Sequence, residues 1–210
     1  MKTQDRQLFG SGRARSPSGA APAVCIFALL LCASYVSAQA PYFTETFEDV
    51  SVGVLHNQDS WQAQQQNDAQ VQTAVKFAGA QAGLVTTNAV LWRNFENSNA
   101  TNVWVDFYAY IRYPADNSEP SLNGSVAGAF YIDSAGEIRA RSNTTWVATG
   151  TTVPENTWRR FSVNLDYATS NWMLYVASNT NNALATAVAT NLAFTGSSTN
   201  QYFRRFRVKN

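Results

Sequence analysis

Apolar and polar residues alternate with a period of two along most of the chain beyond residue 40, the pattern of half-buried β-strands. The stretch "NVWVDFYAYIR" at 102–112 shows it well. Val103, Val105, Phe107, Ala109 and Ile111 make an apolar face, while Trp104, Asp106, Tyr108, Tyr110 and Arg112 make the other. "TWRRFSVNLDY" (157–167) alternates as cleanly, with Phe161, Val163 and Leu165 facing in and Arg160, Ser162 and Asn164 facing out. Strands are also predicted at "YFTETFED" (42–49), which opens the fold, and at "AQVQTAVKF" (69–77) and "AVLWRNF" (89–95). "VAGAFYID" (126–133) and "EIRARS" (137–142) flank "SAG", a tight hairpin signal. "NWMLYVAS" (171–178) and "QYFRRFRVK" (201–209) complete the set. "NALATAVATNLAF" (182–194) is ambiguous: its alanines permit a helix, but its Thr and Val content and missing caps favour a strand or loop. Many strands without intervening helices imply an antiparallel sandwich or barrel.

The N-terminus breaks this pattern. Lys2, Arg6, Arg13 and Arg15 precede "AVCIFALLLCASYV", an apolar run of 14 residues from Ala23, and a small-residue site at Val36-x-Ala38. This is the layout of a secretory signal peptide over residues 1–38, followed by one domain over 39–210. The run is shorter than the roughly 20 apolar residues of a membrane span, so no span is expected after cleavage, and the expected location is secreted, extracellular or cell envelope. Both cysteines, Cys25 and Cys32, lie inside the signal. The remaining 172 residues therefore have no disulfide, thiolate nucleophile or Cys-based metal site. Without Lys2, Arg6, Arg13, Arg15 and Asp5 the chain keeps 11 basic and 13 acidic residues, net −2. No basic field exists to attract nucleic acid, and no nucleic-acid partner is expected.

A family resemblance emerges at "WRRFSVNLDYATSNWMLYV" (158–176), where Trp158, Phe161, Val163 and Leu165 lead through Asp166 and Tyr167 to Trp172, Leu174, Tyr175 and Val176. This resembles the penultimate hairpin of laminin-G-like, concanavalin A-like jelly rolls, most of all the secreted bacterial members. "TETFEDVSVG…DSW", with Phe47, Glu48, Gly53 and Trp61, is similar to their first strand and following loop, and "FYIDSAGEIRA" before Trp146 is similar to an inner hairpin. The resemblance covers residues 42 to 209 and implies an all-β, antiparallel two-sheet jelly-roll sandwich. It also implies a module that binds sugars or proteins, with an extracellular polysaccharide or a cell-surface protein as partner; a minority of such domains are glycosidases. Many relatives hold calcium between an N-terminal acid and an acid near the last strand. Glu48 matches the first, but "FRRFRVKN" offers only bases and Asn210 at the second. No cofactor is expected, and calcium is the one the resemblance leaves open.

Candidate chemistry is sparse. The hydrolase members carry carboxylates at alternating positions on one strand, whereas the acids at 45, 48 and 49 split between faces and Asp106 has no acidic neighbour on its strand. Glycoside hydrolysis needs two carboxylates about 5 to 9.5 Å apart, so Asp106 would have to meet Glu137 or Asp133 across strands. His56 is the single histidine; it sits in a loop without a nucleophile elbow in the chain, and a surface role is expected over a triad. Arg205, Arg207 and Lys209 share a face of the last strand, either to bind an anion or to blunt an edge. Asn-x-Ser/Thr sequons occur at Asn99, Asn123 and Asn143, expected as chance products of an Asn- and Thr-rich chain. No catalytic and no metal-binding residue is assigned. The candidate binding residues are Trp104, Asp106, Tyr108, Tyr110 and Arg112: aromatic planes stack on sugar C–H faces and flanking polar groups bond hydroxyls. The same face is also open to burial under loops or to a protein interface. The leading function is a non-catalytic binding or structural module with carbohydrate as ligand class. The alternatives are a glycoside hydrolase or polysaccharide lyase of similar fold, and a spacer or adhesion domain.

Overall fold

The computed structural model describes residues 43–96, 100–122, 124, 126–178, 185–196 and 202–210. Its described residues form strands and turns without a helix. In chain order the strands are β1 (Gly53–Val54), β2 (Trp61–Ala63), β3 (Ala69–Gln72), β4 (Ala82–Val85), β5 (Val90–Asn94), β6 (Asn102–Tyr110), β7 (Phe130–Ile132), β8 (Glu137–Ser142), β9 (Thr145–Thr152), β10 (Trp158–Asp166), β11 (Asn171–Ala177), β12 (Thr186–Ala193) and β13 (Arg205–Lys209). They pair antiparallel in the orders β1-β3-β4, β12-β11-β10-β6, β13-β5-β2 and β7-β8-β9. The fold is all-β and antiparallel, as the alternation predicts.

The apolar faces meet as expected. Phe161, Val163 and Leu165 of β10 join Trp172 and Leu174 of β11 against Ile138 and Ala140 of β8. Phe107 of β6 stacks near Phe130 of β7 and Phe161, with ring centres 6.3 and 5.7 Å apart. The four-stranded sheet thus packs its inner face on the β7-β8-β9 sheet, as in a sandwich. Trp172 is 1% exposed and donates its indole N–H to the Arg141 carbonyl at 2.9 Å. Gly128 lies against that ring: a Cβ there would stand 3.0 Å from Leu165 and 3.1 Å from Trp172. A second buried cluster joins Leu55, Trp61, Ala63, Ala69, Val71 and Leu91. Phe206 of β13 reaches both clusters, 6.5 Å from Trp61 and 5.2 Å from Phe107. Each fully buried side chain of this size contributes roughly 1.5–3 kcal/mol.

Several expectations change in detail. Over the described residues 43–49 the predicted opening strand (42–49) does not form. Glu45 Oε1 accepts the Phe47 N–H at 2.6 Å while Oε2 accepts the Trp61 indole N–H at 2.7 Å, and Phe47 takes φ 63°. Local side-chain bonds occupy backbone donors that a ladder would need. β3 stops at Gln72, short of the predicted 77, because the Gln72 Oε1 accepts the N–H groups of Ala74 and Val75 and turns the chain. β7 spans only three residues, and Val126 makes an isolated bridge to Thr195. The ambiguous 182–194 segment forms a strand over 186–193, bulged against β11. β13 is an outer strand of its sheet, and Arg205 donates to the Asn94 side chain at 2.7 Å. The predicted signal segment and the sequons at Asn99 and Asn123 lie outside the described residues; Asn143 is exposed in the β8–β9 turn. Among the described residues no helix is long and apolar enough to cross a membrane.

Candidate functional site

The outer face of the β12-β11-β10-β6 sheet is set by register. Along β6 and β10, Trp104 pairs with Asn164, Asp106 with Ser162, Tyr108 with Arg160 and Tyr110 with Trp158. β11 extends the same rows, with Met173 beside Asn164 and Tyr175 beside Ser162. The five residues singled out from the sequence therefore do lie along one side of β6 and its extension, opposite Val103, Val105 and Phe107, which pack on the core. They do not form one continuous platform.

Tyr108 and Tyr110 belong to an aromatic cluster. Phe77, from the loop after β3, stacks on Tyr108 at 3.9 Å and 15°, and also meets Trp158 at 5.8 Å. Tyr110 packs edge-on to Trp158 at 5.6 Å, and the Arg112 guanidinium lies 5.6 Å from the Tyr110 ring. At this end a loop covers the aromatic face.

The other end is open. Trp104 is 58% exposed and leans toward Tyr175, ring centres 5.6 Å apart at 40°. Beneath and beside this pair, Ser162 and Asn164 are buried although they point away from the core. Burial of polar groups is tolerated because each has a partner: Asn164 Nδ2 donates to Asn102 Oδ1 at 2.7 Å, and Ser162 Oγ donates to Asp106 Oδ1 at 3.2 Å. Asp106 itself is clasped by Arg160, whose Nε donates to both carboxylate oxygens at 2.9 and 3.0 Å. This side-chain pairing raises Arg160 above the ordinary guanidinium range.

Asn164, the cross-strand neighbour of Trp104, lines a cleft of about 280 Å³ together with Asp166, Thr169, Asn171, Met173 and Asn191, with Trp172 at its wall. Asp166 is its charged lining residue. The Thr169 hydroxyl, at 2.8 Å, and then the N–H groups of Thr169 and Ala168 hold its carboxyl below the usual carboxylate range. An exposed indole beside a cleft rich in amides and hydroxyls can stack on an apolar ring face and bond several hydroxyls at once. Tyr175, Met173 and the amides were not singled out from the sequence. The signal was present: Met173 and Tyr175 alternate with the core residues Trp172 and Leu174, and only the β10–β11 register was needed to join them to Trp104.

The acids Asp133, Glu137 and Glu48 and the single histidine, His56, are engaged elsewhere. Asp133 is buried and accepts the N–H groups of Glu137 and Ala135 and the Arg139 guanidinium at 3.2 Å. Desolvation pushes its carboxyl up, but these donors outweigh it and the net shift is downward. Glu137 shares Arg139 at 2.8 Å. Glu48 Oε1 accepts the N–H groups of Ala80 and Gln81 at 2.8 and 3.2 Å. His56 Nδ1 accepts the Ala63 N–H at 3.0 Å. Among the described residues, no three His, Cys, Asp or Glu gather as a metal site. No protein-family model, curated protein or solved structure matches this chain.

Proposed function

We propose that this chain is a secreted, non-catalytic carbohydrate-binding module of the concanavalin A-like jelly-roll kind, with its sugar site at the Trp104 end of the outer sheet face. The observation that carries this reading is the exposed Trp104 beside Tyr175, one strand away from a cleft lined mainly by amides and hydroxyls. Trp and Tyr side by side, each with an apolar ring and a polar tip, are the residues enriched where a surface meets a ligand or partner. The polar lining suits hydroxyls, and Asp166 would repel an anionic sugar, so the ligand class is a neutral oligosaccharide. Trp104 stacks on one ring, and Asn171 and Asn191, which line the cleft, meet hydroxyls of the next, while the buried Asn164, tied to Asn102, forms its floor. Tyr108 and Tyr110 support the face without touching ligand.

The hydrolase alternative finds less support. Asp106 is bound by Arg160, and Asp133 and Glu137 share Arg139, an arrangement that leaves these carboxylates engaged rather than poised as acid and base.

A glycan-array screen of the secreted chain, followed by titration of the best neutral oligosaccharide, tests the proposal. Binding is expected for wild type and for Tyr110→Phe, and loss of about tenfold or more for Trp104→Ala, as for stacked anchors elsewhere. Absence of binding to any neutral glycan, or equal affinity of Trp104→Ala, would overturn it.

A further inference from the structure

The adjacent arginines of β10 have opposite fates. Arg160 faces out and is clasped by Asp106. Arg159 falls in the inward row with Phe161 and Val163, opposite the small Ala109 of β6. Its Nε is buried and has no hydrogen-bond partner among the described residues. Buried guanidinium nitrogens without a partner are rare, since desolvating a charged donor is costly unless something accepts from it.

Arg159 also lines a cleft. It measures about 530 Å³ and opens where the end of β9 meets the start of β10, the end of β11 and the start of β12. It is shallow and open to solvent along one side, so a ligand would be held on one face rather than enclosed. Arg159 lines it together with the hydroxyl residues Thr151 and Thr186 and an apolar wall of Val153, Val176 and Val188. Neither Asp nor Glu is among the lining residues. A fixed positive charge, hydroxyl donors and an aliphatic wall, without a competing carboxylate, make a receptor for an oxyanion carried on a small organic body. We propose that this cleft binds such a ligand, a carboxylate or sulfate group meeting the Arg159 guanidinium in forked geometry and its carbon frame lying on the valine wall. The site faces the opposite side of β10 from Trp104 and stands or falls independently of the sugar face.

The test reads Arg159 directly. In ¹H–¹⁵N spectra of the arginine Nε–H groups of the full chain, sodium glucuronate and sodium sulfate are titrated at constant ionic strength, with glucose as the uncharged control. A saturable shift of the Arg159 signal is expected with at least one anion, while Arg160, tied to Asp106, stays put. Response to glucuronate alone assigns a carboxylate ligand, and response to sulfate alone assigns a sulfate ester. Affinity in Arg159→Met, which keeps the apolar stem, should fall about tenfold or more, the scale of a lost charge-assisted pair. No saturable shift, an equal shift with glucose, or Arg160 moving in step with Arg159 would overturn the proposal. The wild-type titration decides the matter even if the variant folds poorly.

Discussion

Two aromatics four residues apart on one face of β6 should respond oppositely to truncation. Trp104 is 58% exposed, so roughly two-fifths of its surface leaves water. With about 200 Å² for a large aromatic and about 25 cal/mol per Å², that burial stabilises by about 2 kcal/mol as an upper limit. Allowing for burial already present in the unfolded chain brings Trp104→Ala to about 1.5 kcal/mol. Tyr108 is half-buried and carries Phe77 at 3.9 Å. Its removal forfeits ring burial and a stacked pair worth about 0.5–1.5 kcal/mol, and it leaves Phe77 without its seat. Aromatic truncations in full cores cost about 3–5 kcal/mol; for this half-buried ring about 3 kcal/mol is expected. Urea denaturation separates the two: with a slope of about 2 kcal/mol/M, the midpoint should fall by roughly 0.7 M for Trp104→Ala and roughly 1.5 M for Tyr108→Ala. Glycan binding should rank them the other way, lost in Trp104→Ala and retained in Tyr108→Ala under conditions where it is folded. An equal or larger stability loss for Trp104→Ala would refute the division of this face into a covered and an open end.

Gly128→Ala should destabilise by about 1–3 kcal/mol, because its Cβ would press on Leu165 and Trp172 at 3.0–3.1 Å; a thermal or urea midpoint equal to wild type would contradict that packing. Burial raises the Tyr167 phenol from 10.0 to about 12, beside Phe194 at 5.3 Å. The fold holds the neutral phenol, so its contribution is complete below pH 10 and is lost as pH rises toward 12. Urea midpoints measured across that window should fall more steeply for wild type than for Tyr167→Phe, and parallel curves would show that Tyr167 is not responsible.

Alternation is a local property, and what depends on it was legible in the chain. The two-fold period separates Val105 and Phe107 from Trp104 and Tyr108 whatever else the chain does, because successive side chains of a strand point to opposite faces. The all-β class and the inward set Phe161, Val163 and Leu165 follow from the same rule. Exposure is different, since it depends on which distant segments arrive. Phe77 reaches Tyr108 only because Gln72 ends β3 and turns the chain across the sheet. Tyr175 joins Trp104 only through the β10–β11 register, and their row neighbours Ser162 and Asn164, which alternation marks simply as outward, are buried. The pair Arg159 and Arg160 makes the same point within two residues. Alternation assigns them opposite sides, but only the packed sheets determine that Asp106 neutralises one and that the other is left with its Nε buried at the edge of a cleft.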